Sequence, residues 1–415
     1  MLGPFLFLLY INDIVDNIYN HIRLFADDTS LFAIIDNNSD TVSQSLTNDL
    51  GKINSWANSW AVTFNPSKTE TLTFSRRNII QPDIFFGANG EQIKEVDSHC
   101  HLGLNFQSNA TWKEHINTIY NKACSRLHLL RQVKYLLDRN SLITIYLAFI
   151  RPVLEYADTI WDNCTLQESN LLESVQIEAS RIITGLRRTT SLRKLYCEIG
   201  FEKLSDRRKK HKLITFYKIV NGLCPTYMFD LLAPCIPGEH AYNLRNRHDF
   251  ILPQCRTVSY YKSFVPSTVK LWNELESSMK NAPSVNSFKS NIDKIYKPDK
   301  PPNYFNFGLR KLNIIHCQLR NEASNLNSHL FHDFLTDDPF CPKCLYICED
   351  NQHFFFDCPA YDTIRDRLFR NLLHFNVNID LNLLLFGNVS LSLEDNIKIV
   401  KEVQAYINNS KRFEL

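Results

Sequence analysis

The chain has no apolar run of the roughly 18 residues that a membrane-crossing helix needs. It also lacks the marks of a secretory leader. Its apolar start carries no basic n-region and no small-residue cleavage site, and Asn12 and Asp13 interrupt it early. A dense disulfide framework is missing as well. Twelve cysteines are scattered through the sequence, and only Cys341, Cys344, Cys348 and Cys358 cluster, which suits a reducing compartment. An intracellular protein, nuclear or cytoplasmic and not secreted, with no membrane partner, is therefore expected. No single sign of charge dominates: the net charge of +2 excludes a polycation. There is no internal repeat and no low-complexity tract.

What remains is an ordinary globular composition. At 415 residues, 44% hydrophobic and 22% charged, the chain is long enough for two or three domains with real cores. The charge is uneven. Residues 113–218 hold 19 Lys and Arg against 11 Asp and Glu, an excess of eight. Such a stretch suits a nucleic-acid track, and a solvated helical surface has the same composition.

Two adjacent carboxylates, Asp27 and Asp28, sit between two apolar runs. His21-Ile22-Arg23-Leu24-Phe25-Ala26 precedes them and Leu31-Phe32-Ala33-Ile34-Ile35 follows. Both runs read as strands, with a tight turn at the acid pair. Neighbouring carboxylates at a turn repel unless a cation joins them, and oxygen-rich sites suit Mg²⁺. Two-metal phosphoryl transfer needs such a site; a plain solvated turn has the same local pattern.

The context of the pair narrows the choice. Leu2-Gly3-Pro4-Phe5-Leu6-Phe7-Leu8-Leu9-Tyr10-Ile11-Asn12-Asp13 lies ahead of it. Trp56, Trp60, Phe64-Asn65, Lys68 and His101-Leu102-Gly103-Leu104 lie behind. In order and spacing this series resembles the palm of reverse transcriptases from non-LTR, LINE-type retrotransposons. The resemblance implies an RNA-directed DNA polymerase using Mg²⁺ (or Mn²⁺), an RNA template, a DNA primer or target and deoxynucleoside triphosphates. It gives Asp27 and Asp28 the metal-binding, catalytic role. Lys68 would face the departing pyrophosphate, although an exposed turn lysine would look the same. In that family a further catalytic aspartate and the fingers lie upstream of the LGP segment. The expectation is therefore an N-terminally truncated enzyme with little polymerisation of its own.

The rest of the chain reads in three further parts. With a partial palm at 1–107, residues 108–230 form a mostly helical thumb and extension. Trp112, Ile116, Ile119, Ala123, Leu127 and Leu130 mark one amphipathic helix. Leu142 to Leu154 mark a second, which Pro152 is expected to kink or end. Leu171, Val175, Ala179, Ile182 and Ile183 mark a third. Within this part Arg207-Arg208-Lys209-Lys210 begins the densest basic run. It suits phosphate contact, a charged helix face or a nuclear-import signal. Residues 231–302 are a loop-rich connection and linker, where Tyr242, Arg245, Arg247, Arg256, Tyr260 and Tyr261 interleave base and aromatic. Trp56 and Trp60 fall on the apolar side of a helix and read as core.

Residues 303–415 carry a second signature. Cys341, Cys344, His353 and Cys358 follow the spacing C-x2-C-x8-H-x4-C. Four soft ligands with a CxxC knuckle suit tetrahedral Zn²⁺, with Phe354-Phe355-Phe356 packed beneath it and Cys348 as a rival for His353. LINE-type enzymes often end in a similar module. The expected architecture is α+β: partial palm, helical thumb and connection, and a small C-terminal zinc knuckle. The competing reading is a non-catalytic nucleic-acid binder built on the basic helices and the knuckle.

Overall fold

The computed structural model describes residues 2–35, 39–75, 83–86, 90–233, 249–296, 298, 300–345 and 348–413. The chain is mixed α and β, with many helices and small sheets. It divides into two compact units, Met1–His115 and Ile116–Leu415. The division falls inside the helix Lys113–Val133, eight residues beyond the boundary expected at 107.

The first unit opens with the helix Leu2–Ile11 and continues into an antiparallel hairpin of His21–Phe25 and Asp28–Phe32. Period-two alternation turns Ile22 and Leu24 inward. They pack with Leu31 and Trp56 on a core of Ile11, Ile14 and Ile53. The helix Ser39–Ser59 supplies Ile53 and Trp56. Its buried Asp49 accepts hydrogen bonds from the backbone N–H groups of Tyr19 (3.0 Å) and Asn20 (2.8 Å) and from Lys52 (2.9 Å). Those bonds fix where the chain enters the hairpin. The described strands form four separate two-stranded sheets, one of them the parallel pair Glu70–Thr71 and Lys94–Glu95.

The second unit is helical. In Lys113–Val133 the residues Ile116, Ile119, Ala123, Leu127 and Leu130 are all buried, as their spacing predicts. Leu166–Thr184 starts with a capping box, in which Thr165 and Glu168 satisfy each other's backbone N–H groups. It ends at Gly185, whose φ of 74° suits glycine and whose α-carbon lies against Ile314. In that helix Leu172 takes the fully buried position and Leu171 is half-buried.

Around Pro152 the helix is interrupted, as expected, by a change of helix type. The helix Arg139–Ile145 passes through a π turn, Tyr146–Ile150, and resumes at Arg151–Glu155, where proline occupies the first turn. A π turn shifts the hydrogen-bond ladder by one residue, so the missing proline N–H falls where none is needed. The helix ends beyond it, where Ala157 adopts a φ of 50°.

Residues 116–415 form one compact unit. Arg310 donates to the carbonyls of Lys134 and Ile182, both at 2.8 Å. Arg320 pairs with Glu198 at 2.8 Å. Both join the C-terminal segment to the helices before it. Within the unit one core gathers Phe216, Trp272 and Phe288, and another gathers Phe354, Phe355, Leu368, Ile399 and Val403.

Candidate metal centres

The acid pair sits at the tip of the hairpin. Phe25 and Asp28 are paired across the strands, leaving Ala26 and Asp27 as a two-residue turn. Ala26 has a φ of 52°, a left-handed conformation that a non-glycine residue adopts only under constraint. Asp27 and Asp28 are both exposed, and neither carboxylate meets a protein cation among the described residues. Lys68 lies exposed in the short turn Pro66–Lys68, where its backbone N–H donates to Asn65 O at 3.1 Å. No contact among the described residues joins Lys68 to the acid pair.

The two tryptophans differ. Trp56 is half-buried, and its Nε1 donates to Asp13 Oδ1 at 2.8 Å. Trp60 is 45% exposed and meets Tyr10 edge to face, with ring centres 5.1 Å apart. The core reading therefore fits Trp56 better than Trp60.

In the second unit Cys341, Cys344, His353 and Cys358 converge, with their donor atoms all within 4.8 Å of one another. Cys341 Sγ lies 3.8 Å from Cys358 Sγ, and Cys344 Sγ lies 3.4 Å from His353 Nε2. A tetrahedral ion with zinc-like bond lengths spaces two sulfurs by about 3.8 Å and a sulfur and a nitrogen by about 3.5 Å. The donor set therefore fits a tetrahedral metal ion such as zinc. Cys348 is exposed and stands outside the group, so His353 is the fourth donor.

Local structure explains the convergence. In the knuckle, Leu345 N–H donates to Cys341 O at 2.9 Å, and Lys343 N–H points at Cys341 Sγ from 3.4 Å. His353 begins a π turn, His353–Asp357, whose closing bond runs from Cys358 N–H to His353 O at 2.9 Å. That five-residue closure brings the fourth and third donors together. Asp350 Oδ1 accepts from His353 N–H at 2.7 Å and caps the turn. Phe354 and Phe355 are fully buried, pack with Tyr406 and share one core with Cys341 and Cys358. Burial pushes the Cys341 thiol above its ordinary range and the Cys358 thiol up to about 12, with the other cluster cysteines adding to the latter. Thiols packed this closely resist ionising together unless a cation neutralises them.

The basic run 207–210 is paired with carboxylates of the same unit. Arg207 pairs with Glu155 and reaches Glu202 at 3.5 Å. Arg208 is buried, pairing with Asp162 at 2.6 Å and donating to Ser169 at 2.5 Å. Lys210 is buried between Glu202 and Asp293. Lys209 keeps more exposure but pairs with Asp206 at 2.9 Å. A cation already paired with a carboxylate has less charge to spare for neutralising a phosphate and releasing its counterion. Tyr242, Arg245 and Arg247 lie outside the described residues.

Two features went unseen in the sequence. Glu349, fully buried, holds Arg412 in two hydrogen bonds of 2.6 Å beside the knuckle. Glu198, also buried, binds Arg139 at 2.7 Å, Arg320 at 2.8 Å and Asn321 at 3.1 Å. No local spacing signals either, since the partners are remote in sequence. Among the described residues no helix is long and apolar enough to cross a membrane. Compared with known protein families, with curated proteins and with solved structures, the chain matches none.

Proposed function

We propose that the chain belongs to the RNA-directed DNA polymerases of LINE-type retrotransposons, with Asp27 and Asp28 holding Mg²⁺ or Mn²⁺ at the primer 3′ end. One observation carries this reading: two adjacent, exposed carboxylates at a hairpin tip, with no protein cation to neutralise them among the described residues. Bound there, the metal would activate the primer hydroxyl and stabilise the charge of the departing pyrophosphate. The hairpin's part is to hold the two carboxylates side by side, Asp27 in the turn and Asp28 at the start of the second strand. Lys68, exposed in its turn, is suited to neutralise the pyrophosphate. A further aspartate, which the family resemblance puts upstream of the LGP segment, would complete the ligand set. RNA template, DNA primer and deoxynucleoside triphosphates are the partners this reading requires.

The cysteine cluster is the structural counterpart. We read it as a Zn²⁺ site, because four donors fill the tetrahedron and leave no open position for substrate. The rival reading is a non-catalytic nucleic-acid binder, whose 207–210 run is already paired with carboxylates. It keeps the zinc cluster and other cations of the helical unit.

The test of the catalytic reading is metal-directed cleavage. With Fe²⁺ in place of Mg²⁺, ascorbate and peroxide should cut the backbone near residues 25–30. Mg²⁺ should compete, and Asp27→Asn with Asp28→Asn should abolish the cut. Cleavage that is absent or spread along the chain contradicts the metal site.

A further inference from the structure

Apart from the acid pair and the cysteine cluster, the helical unit carries an open groove of about 870 Å³. That is within the ~300–1,000 Å³ of typical ligand clefts. Residues of the helix Leu192–Ile199, the segment 300–305 and Arg320 line one part of it, and the segment 378–389 lines another. Beneath, Tyr304 OH donates to Phe386 O at 2.8 Å and ties the two parts together.

The lining is chemically divided. Arg193 and Lys300 are exposed and form no ion pair among the described residues. Arg320 adds a guanidinium fixed 3.9 Å above the Phe305 ring and paired with buried Glu198. Lys194 is spoken for by Glu322 at 2.7 Å. The 378–389 segment contributes the side-chain amides of Asn378 and Asn382, the ring of Phe386 at 42% exposure, and Val389. Its one acid, Asp380, caps the helix Leu381–Phe386 by accepting from Leu383 N–H at 2.7 Å.

Cations alone would suit any small anion, and an apolar wall alone would suit any oily ligand. The combination asks for a ligand with an anionic end and a flat, hydrogen-bonding, apolar end. We propose that this groove binds a nucleotide unit of single-stranded nucleic acid, its phosphates toward Arg193 and Lys300 and its base against Phe386. The same chemistry occurs in free nucleotides, so the experiment separates the two sources. The groove is independent of the acid hairpin, and binding here does not require metal at Asp27 and Asp28.

The experiment uses the full chain and a fluorescein-labelled, twelve-nucleotide single-stranded RNA in an anisotropy titration across a salt series. Arg193→Glu with Lys300→Glu should raise Kd at least tenfold. It should also lower the salt slope by about 1.4, the value for two phosphate contacts on a single strand. Phe386→Ala should raise Kd about fivefold or more with the slope unchanged, as loss of one stacked base does. Unlabelled uridine monophosphate should compete poorly; competition equal to that of the strand keeps the groove and assigns it to free nucleotides. Metal-directed cleavage near residues 25–30 and this titration are read separately, so failure of the catalytic reading leaves this result standing. An unaltered chain that binds neither ligand, or a double variant with unchanged Kd and slope while its circular dichroism is intact, overturns the proposal.

Discussion

Glu349 and Arg412 lie 63 residues apart and form a two-pronged ion pair, with Nε to Oε1 and Nη2 to Oε2 both at 2.6 Å. Glu349 is fully buried, and its backbone N–H and carbonyl bond Pro339 O and Ser328 N–H. The pair therefore fastens the chain's end to the loop that carries the cysteine knuckle. Glu349→Ala should cost about 2 kcal/mol, because the half-buried Arg412 loses a charge-assisted pair and keeps only Asn325 O and Asn327 Oδ1. It should also speed zinc loss to a chelator. Urea unfolding and chelator kinetics check both effects; a change under 1 kcal/mol would show the tie to be unimportant.

The cysteine cluster should hold one zinc per chain. Cys358→Ser should lose that stoichiometry and lower the unfolding temperature, whereas Cys348→Ser should change neither. The donor geometry includes Cys358 and leaves Cys348 out. Elemental analysis of purified protein, paired with thermal unfolding, measures both. Full zinc content in the Cys358→Ser variant would contradict the ligand set.

Glu198 links stability to pH. Burial opposes its ionisation, but Arg320 and Arg139 outweigh that and hold the carboxyl well below the usual carboxylate range. Its folded pKa is depressed, so its contribution is present above the unfolded value of about 4.3 and fades as pH falls below it. Burial pushes His316 the other way from a stabilising partner, down to about 3. The unfolded chain then takes up a proton below about pH 6.5 that the folded chain refuses, so stability starts to fall there. Unfolding free energies from pH 8 to pH 3 should show both windows. Glu198→Gln should flatten the lower one and cost roughly 3 kcal/mol at neutral pH. Equal pH slopes for the variant and the unaltered chain would refute the assignment.

Lys210→Met should leave nucleic-acid affinity and its salt slope unchanged while altering stability, since Lys210 is buried against Glu202 and Asp293. The cost should be about 1 kcal/mol, because exposed Asp293 loses its cation while Glu202 keeps Arg207. Weaker RNA binding with normal stability would restore the phosphate-contact role.

What could be read from the sequence was what is local. The apolar repeat of Lys113–Val133 predicted its buried face, the hairpin tip followed from runs on either side of Asp27 and Asp28, and the four cysteine-cluster donors followed from their spacing. What could not be read was non-local. The carboxylates that absorb Arg207, Arg208 and Lys210 include Glu155 and Asp162, about fifty residues away. The same holds for the ties from Arg310 and Arg320 that merge 303–415 with the preceding helices. The form of the break at Pro152, a π turn ahead of it, is likewise not visible in apolar periodicity.

The central claim is that the hairpin tip meets the primer terminus. A primer–template duplex with a photoreactive nucleotide at the primer 3′ end, irradiated with the full chain in Mg²⁺, tests it most directly. The crosslinked peptide should fall within residues 21–32, and Asp27→Asn with Asp28→Asn should remove it. A crosslink confined to the helical unit, with the hairpin untouched, would contradict the polymerase reading and leave nucleic-acid binding as the activity of this chain.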